Sequence, residues 1–188
     1  MAEPFLQLAL SPDMVSTKKF ILPRVCKFTY DGASKVQTES VKNVYQGYLM
    51  SAEKRSTAEK KFEKFCEKSD SVDWIYKNGD KGDEYLSIVY LDNSDHQKLF
   101  YPDYIVSVNG ETWIIETKGD FDKAGNSEDI DIFSPKKFEA LKAYLKKYGL
   151  KGGFVRFDKN SDELCISTEK YSDNINSDDW KLLDSVFA

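Results

Sequence analysis

Hydrophobic and polar positions fall along the chain in blocks whose periods predict different elements. Between Ser56 and Lys68, the apolar residues Ala58, Phe62, Phe65 and Cys66 recur at helical spacing, with Ser56 placed to cap the first turn. Tyr85, Ile88, Val89 and Tyr90 predict a strand over residues 84–91. Tyr104–Val108 and Glu111–Ile115 are β-branched and aromatic runs separated by Asn109-Gly110, the strongest short hairpin signal. Ser134-Pro135 predicts an N-cap and a first-turn proline; the helix they open carries Phe138, Leu141 and Leu145 on one side and stops at Gly149. Gly153–Phe157 and Leu164–Thr168 read as strands, and Asp178–Phe187 as a last amphipathic helix through Trp180, Leu183 and Phe187. Ahead of these, Phe20–Val25 reads as a short strand and Val41–Met50 as an apolar stretch with aromatic interruptions. Residues 1–50 are therefore expected to be an N-terminal extension or connector, and residues 51–188 the body. Helix, three strands, helix, strand is an α/β layout with helices packed on a mixed sheet.

The hairpin turn has a geometric consequence. With Asn109 and Gly110 as the turn, Val108 faces Glu111, Val106 faces Trp113, Tyr104 faces Ile115, and Asp103 falls opposite Glu116. Opposed side chains stand about 4.5–5.5 Å apart at Cβ, so two carboxylates there repel unless something neutralises them; a hard divalent cation with oxygen ligands does so. Lys118 lies two positions beyond Glu116, and the strand period returns it to the same face. A solvated surface hairpin that happens to carry Asp, Glu and Lys is the competing reading. Against it, the second arm is apolar up to Glu116 and ends abruptly in Glu116-Thr117-Lys118-Gly119, as a buried strand with a polar site at its end would.

With these residues in place, the chain resembles the PD-(D/E)xK nuclease superfamily, whose motif Pro102-Asp103 and Glu116-Thr117-Lys118 match. Glu59-Lys60-Lys61-Phe62 on a helix, the Val72–Asn78 segment, Phe100–Val106, Ile114–Gly119, and Lys137 ahead of Ala140-Leu141 narrow the likeness. Together they look like the C-terminal nuclease region of the restriction (Res) subunit of type III restriction-modification enzymes, over residues 51–188. The superfamily shares the element order, so the resemblance implies a restriction-endonuclease-like core (αβββαβ), a mixed central sheet flanked by helices. It implies hydrolysis of phosphodiester bonds in double-stranded DNA with Mg²⁺, or Mn²⁺ as substitute, held by Asp103, Glu116 and the backbone carbonyl of Thr117. Lys118 would orient the attacking water and offset developing negative charge. Glu59 would be the acid that many members place on a helix near the metal, with Glu63 as its rival. Lys137, with Lys136 as the alternative, would reach the scissile phosphate or a site carboxylate from a helix N-terminus. The same likeness implies a helicase region upstream of residue 1 and a methyltransferase (Mod) partner subunit. A nuclease-fold module that binds DNA or docks without cutting, and a free-standing resolvase-like nuclease, are the alternatives.

Composition modifies this picture only in part. A chain of 188 residues at 40% hydrophobic suits one domain with its own core. Its formal net charge of −5 runs against the basic footprint of most nucleic-acid partners. The acidic surplus is segregated, however, in Asp120–Asp131 and Ser172–Asp184, whereas Lys18-Lys19, Arg24, Lys27, Lys54-Arg55 and Lys60-Lys61 precede the hairpin as candidate phosphate contacts. Cys26, Cys66 and Cys165 are odd in number and far apart, which fits neither a disulfide framework nor a zinc site. His96, the only histidine, sits in a polar string and takes no role, which disfavours chemistry needing a histidine base. The Gly-rich loop and lysine of an ATP site are missing, so none is expected in this chain. No run approaches the ~18 apolar residues of a membrane span, and no charged leader is seen, so a cytoplasmic protein without a membrane partner is expected.

Overall fold

The structure, a computed structural model, describes residues 19–24, 38–50, 55–82, 84–120, 123–126, 131–175 and 177–188. Among them the chain runs β1 (Thr38–Glu39), β2 (Leu49–Met50), α1 (Thr57–Lys68), β3 (Val72–Lys77), β4 (Ile88–Leu91), β5 (Gln97–Phe100), β6 (Tyr104–Val108) and β7 (Glu111–Thr117). There follow α2 (Ser134–Tyr148), β8 (Lys151–Asp158), β9 (Glu163–Ser167), β10 (Lys181–Leu182) and α3 (Leu183–Phe187). A six-stranded sheet in the order β10-β9-β8-β7-β6-β3 forms the centre. Its ladders are antiparallel except for β7–β8, which is parallel and is crossed over by α2. The chain is thus mixed α/β, with a mixed central sheet flanked by helices.

Strand alternation divides the core between two faces of this sheet. Tyr104, Val106, Val108, Trp113, Ile115, Val155 and Phe157 pack with Ala58, Phe62 and Cys66 of α1 and with Leu183 and Phe187 of α3. Ile105, Ile114 and Phe154 pack on the other side with Phe138, Leu141 and Tyr144 of α2 and with Ile88, Tyr90 and Phe100 of the separate β4–β5 hairpin. The hairpin register is the one the turn chemistry dictates: Tyr104 pairs with Ile115, Val106 with Trp113 and Val108 with Glu111. Asn109 and Gly110 both take positive φ, 50° and 78°, as a two-residue turn matching the strand twist requires. Asp73, at an irregularity in β3, accepts from Gly110 N and Ser107 Oγ and ties that turn to the neighbouring strand.

Local signals held at the hairpin, at α1 and at the end of α2, and failed at other element ends for identifiable reasons. Ser56 caps α1 reciprocally with Glu59, a capping box. For α2, Ser134 proves to be the first helical residue, not the cap; Phe133 precedes it, and Asp131 takes over by accepting the Phe133 amide at 3.0 Å. Gly149, at φ 63°, ends α2 as expected. The expected strand over residues 84–91 shrinks to β4, because Leu86 is held outside it by Asn78. Phe20–Arg24 forms no strand, since Pro23 offers no ladder amide, and Val25 lies outside the described residues. The helix expected from Asp178 begins only at Leu183, after the short edge strand β10. Neither β3, whose apolar run is broken by Asp73 and Lys77, nor β5, whose pattern Gln97 and Lys98 interrupt, was expected; β3, and not the strand expected over residues 84–91, joins the hairpin in the central sheet.

Described residues before 51 lie against the body. Phe20 stacks on Tyr76, and Lys42 and Val44 exchange backbone hydrogen bonds with Ile75, covering the open edge of β3. The expected boundary between residues 50 and 51 abuts 51–54, which lie outside the described residues. Cys66 and Cys165 are buried free thiols, and Cys26 is outside the described residues. No described helix is long and apolar enough to cross a membrane.

Close approach at β8 generates a testable consequence. A Cβ at Gly152 would stand 2.2 Å from the Ile114 carbonyl oxygen, and one at Gly153 2.2 Å from that of Ser167. The backbones of β7, β8 and β9 cannot yield without breaking ladders, so Gly153→Ala should cost about 2 kcal/mol or more, read from urea denaturation.

Candidate active site

The sequence-predicted residues collect at one end of the central sheet, where β3 and β7 finish and β6 begins. Lys77, the last residue of β3, pairs with Tyr104, and Thr117 is the last residue of β7. Lys118 continues the parallel ladder by donating its amide to Val155 O at 2.9 Å. Alternation along β7 then sorts the side chains. Thr117 follows Ile115 to the α1 face, whereas Glu116 and Lys118 follow Ile114 to the α2 face.

On the α1 side, Asp103 is held firmly. Its Oδ2 accepts from Thr117 N at 2.9 Å and Thr117 Oγ1 at 2.6 Å, and its Oδ1 accepts from Lys77 Nζ at 2.7 Å. Lys77 also reaches Glu59 Oε1 at 2.9 Å and lies 4.5 Å from the centre of the Tyr104 ring. Glu59 Oε2 meanwhile accepts the Ser56 amide at 2.8 Å, so one carboxylate both caps α1 and faces the site. Asn78 fixes the approach of the chain to Asp103: its amide group donates to Leu86 O and Pro102 O, and its backbone N–H donates to Asp103 O at 2.8 Å. Burial alone would lower the pKa of Lys77, but Asp103 and Glu59 outweigh it and hold the value above its ordinary range.

On the α2 side, the charges are deeper. Lys118 Nζ lies 3.1 Å from Glu116 Oε1 and 3.3 Å from Asp131 Oδ2, with side-chain exposures of 5% for Lys118 and 11% for Glu116. Lys137 Nζ donates to the same Asp131 oxygen at 2.7 Å. Glu116 Oε2 is buried and has no hydrogen-bond partner among the described residues. Burial first, and the charge of Asp103 second, push the Glu116 carboxyl up to about 7. Asp131 behaves oppositely: its partial burial works against ionisation, yet the Lys137 and Phe133 hydrogen bonds and the charge of Lys118 hold it at about 2. Arg156, fully buried on the same face, donates to the Gly119 carbonyl at 2.8 Å and to Tyr171 Oη at 2.8 Å, bracing the chain where it leaves Lys118.

The structure thus brings Asp103, Glu116, Thr117, Lys118, Glu59 and Lys137 to one place, but in two groups. The expected cross-strand register is present, yet the Asp103 carboxylate turns to Thr117 and Lys77 while Lys118 keeps to Glu116. Asp103 lies in the bend just before β6, so its carboxylate can turn to Lys77 and Thr117 on the α1 face, whereas Glu116, next to Thr117 on β7, points to the opposite face with Lys118. Between the helical acids, Glu59 joins the site. Glu63 is 1% exposed and accepts from Tyr48 and Tyr104 while pairing with Arg55 at 3.1 Å, a core role. Between the lysines, Lys137 joins the site, whereas Lys136 is 47% exposed and pairs with Glu139. His96 is a solvent-exposed turn residue. Among the basic candidates, Arg55 is engaged by Glu63 and Lys61 by Asp162, and Lys18, Lys27 and Lys54 lie outside the described residues.

Lys77, Asn78 and Asp131 went unassigned in the sequence reading. Asp131 was concealed in an acidic run, and Lys77 ended a strand whose partner contacts lie far off in the chain. Its place two residues beyond the core position Ile75, on the same strand face, was the available signal.

The residues fit a divalent oxygen-seeking ion to this extent: an orphaned, buried carboxylate oxygen of Glu116 lies near Asp103, and Mg²⁺ retains several waters, so two carboxylates suffice. No group of three or more His, Cys, Asp or Glu side chains placed to hold a metal occurs among the described residues. Compared with known protein families, curated proteins and solved structures, the chain finds no match.

The raised Glu116 value fixes a pH dependence. Folded Glu116 binds its proton more tightly than the unfolded residue, so metal-free protein loses stability as pH rises from its ordinary value of 4.5 to about 7. Glu116→Gln should remove this loss, leaving the variant up to about 3 kcal/mol more stable than wild type at pH 8 and level with it near pH 4.5, by urea denaturation across pH.

Proposed function

We propose that the chain is a Mg²⁺-dependent endonuclease of the PD-(D/E)xK kind that hydrolyses DNA phosphodiester bonds, the cleavage module of a type III restriction enzyme. The observation that carries this reading is the buried Glu116 carboxylate with one oxygen orphaned, set against Lys118 on the same face and Asp103 from the adjoining strand. The succession α1, β3, β6, β7, α2, β8 supports the restriction-endonuclease-like core (αβββαβ), with β4 and β5 as an inserted hairpin.

Asp103, Glu116 and the Thr117 carbonyl are the groups that would hold Mg²⁺ or Mn²⁺. When bound, such an ion makes the attacking water more acidic and offsets charge on the phosphate. The protein's own part is positioning and electrostatics. Lys118, fixed between Glu116 and Asp131, presents a positive charge whose place is set before substrate arrives, the condition under which charge stabilisation is most effective. Lys137 holds Asp131 and so Lys118 behind it. Glu59 and Lys77 hold Asp103 from the α1 side. Double-stranded DNA is the substrate in this reading, and an upstream helicase region and a Mod methyltransferase subunit, in the cytoplasm, supply translocation and recognition.

A module that binds DNA without cutting is the second reading. It draws on the fact that Asp103 and Glu116 each already have a lysine partner. Plasmid cleavage separates the two. The purified chain should nick supercoiled DNA weakly with Mg²⁺ or Mn²⁺ and not with EDTA, and Asp103→Ala, Glu116→Gln and Lys118→Ala should each lower the rate about a hundredfold or more. In the complete restriction enzyme these changes should abolish cleavage, and variants that cut as fast as wild type would sink the catalytic assignment.

A further inference from the structure

Asp103 has little room left for a cation. A carboxylate offers about four lone-pair sites. Thr117 N and Oγ1 take both on Oδ2, and Lys77 Nζ takes one on Oδ1. Any ion that binds Asp103 must therefore use the remaining site of Oδ1, beside an ammonium 2.7 Å away from that oxygen. Like charges at such range oppose each other, and Lys77 cannot retreat easily: its side chain is 20% exposed, Glu59 holds it at 2.9 Å, and the Tyr104 ring lies against it. The charge count runs the other way. Glu59, Asp103, Glu116 and Asp131 are met by Lys77, Lys118 and Lys137, so with all of them ionised the site keeps one negative charge in excess.

We infer that Lys77 is the resident counter-cation of the acid site, a positioning lysine that holds Glu59 and Asp103 together in the metal-free protein and competes with a divalent cation for Asp103. This rests on the metal-site reading above. One ammonium offsets a single negative charge, whereas a divalent ion shared by Asp103 and Glu116 offsets two, so the lysine keeps Asp103 and Glu59 in place and yet can be outcompeted at Asp103. Its seat at the end of β3 places it on the α1 face, across the sheet from Lys118, so the two lysines do not substitute for each other.

The test uses the full chain and Mn²⁺ itself, followed by electron paramagnetic resonance titration, together with thermal melting in EDTA. Lys77→Met should bind Mn²⁺ about tenfold more tightly than wild type, because the competing charge is gone. It should also melt lower in EDTA, with the deficit recovered at saturating Mn²⁺. Lys77→Arg, which keeps the charge, should return both readouts toward wild type. Lys77→Gln, uncharged but polar, reads the same competition where the methionine variant fails to fold. A lysine that merely braces the fold would lower the melting temperature and leave Mn²⁺ affinity unchanged or weaker, and that result overturns the role of Lys77 alone. Wild-type protein that binds no Mn²⁺ overturns the metal-site reading and the role of Lys77 with it.

Discussion

Charge at the end of an apolar strand is the constraint on which the rest of this structure depends. β7 runs through fully buried Ile114 and Ile115 and then places Glu116 and Lys118 in the same interior. An ion taken out of water costs several kcal/mol unless oppositely charged, hydrogen-bonding partners surround it. Each buried charge here is met by one of opposite sign, and the partners come from separate elements. Asp131 and Lys137 arrive from the turn into α2 and from its first helical turn, and Arg156 braces the exit at Gly119 from β8. The packing of α2 against the sheet is therefore tied to the electrostatics of the site.

The sheet also partitions the site. Asp103, Thr117, Lys77 and Glu59 form one bonded set on the α1 face, and Glu116, Lys118, Asp131 and Lys137 another on the α2 face. Asp103 is where they meet, because its charge still raises the proton affinity of Glu116 through the sheet end. Such a layout has the character of a preorganised polar site: dipoles and charges are fixed by the fold, and one buried carboxylate oxygen is left over.

Much of this was legible in the residues. The Asn109-Gly110 turn specifies its register through local backbone geometry, and the observed ladder of β6 and β7 follows it pair by pair. The α1 cap and the Gly149 stop were equally local. Glu59 and Glu63 could not be separated, since they lie one helical turn apart and only the packing of α1 shows that Glu63 enters the core with Tyr48 and Tyr104. Asp131 could not be distinguished from its acidic neighbours, because what sets it apart is the lysine pair converging on it.

The amino-acid sequence by itself determined the α/β character, the hairpin, the register that pairs Tyr104 with Ile115 and so brings Asp103 to the end of β7, and the strand exit carrying Lys118. Turn chemistry and the two-residue period of a strand act over a few bonds, so they can be read in order along the chain. Only the tertiary structure decided which lysine serves which acid. That choice depends on α1 and α2 docking on opposite faces of the sheet, bringing Lys77 to Glu59 and Asp103 on one side and Asp131 and Lys137 to Lys118 on the other. Packing at long range sets those encounters, and Coulomb attraction in a poorly solvated interior then holds them.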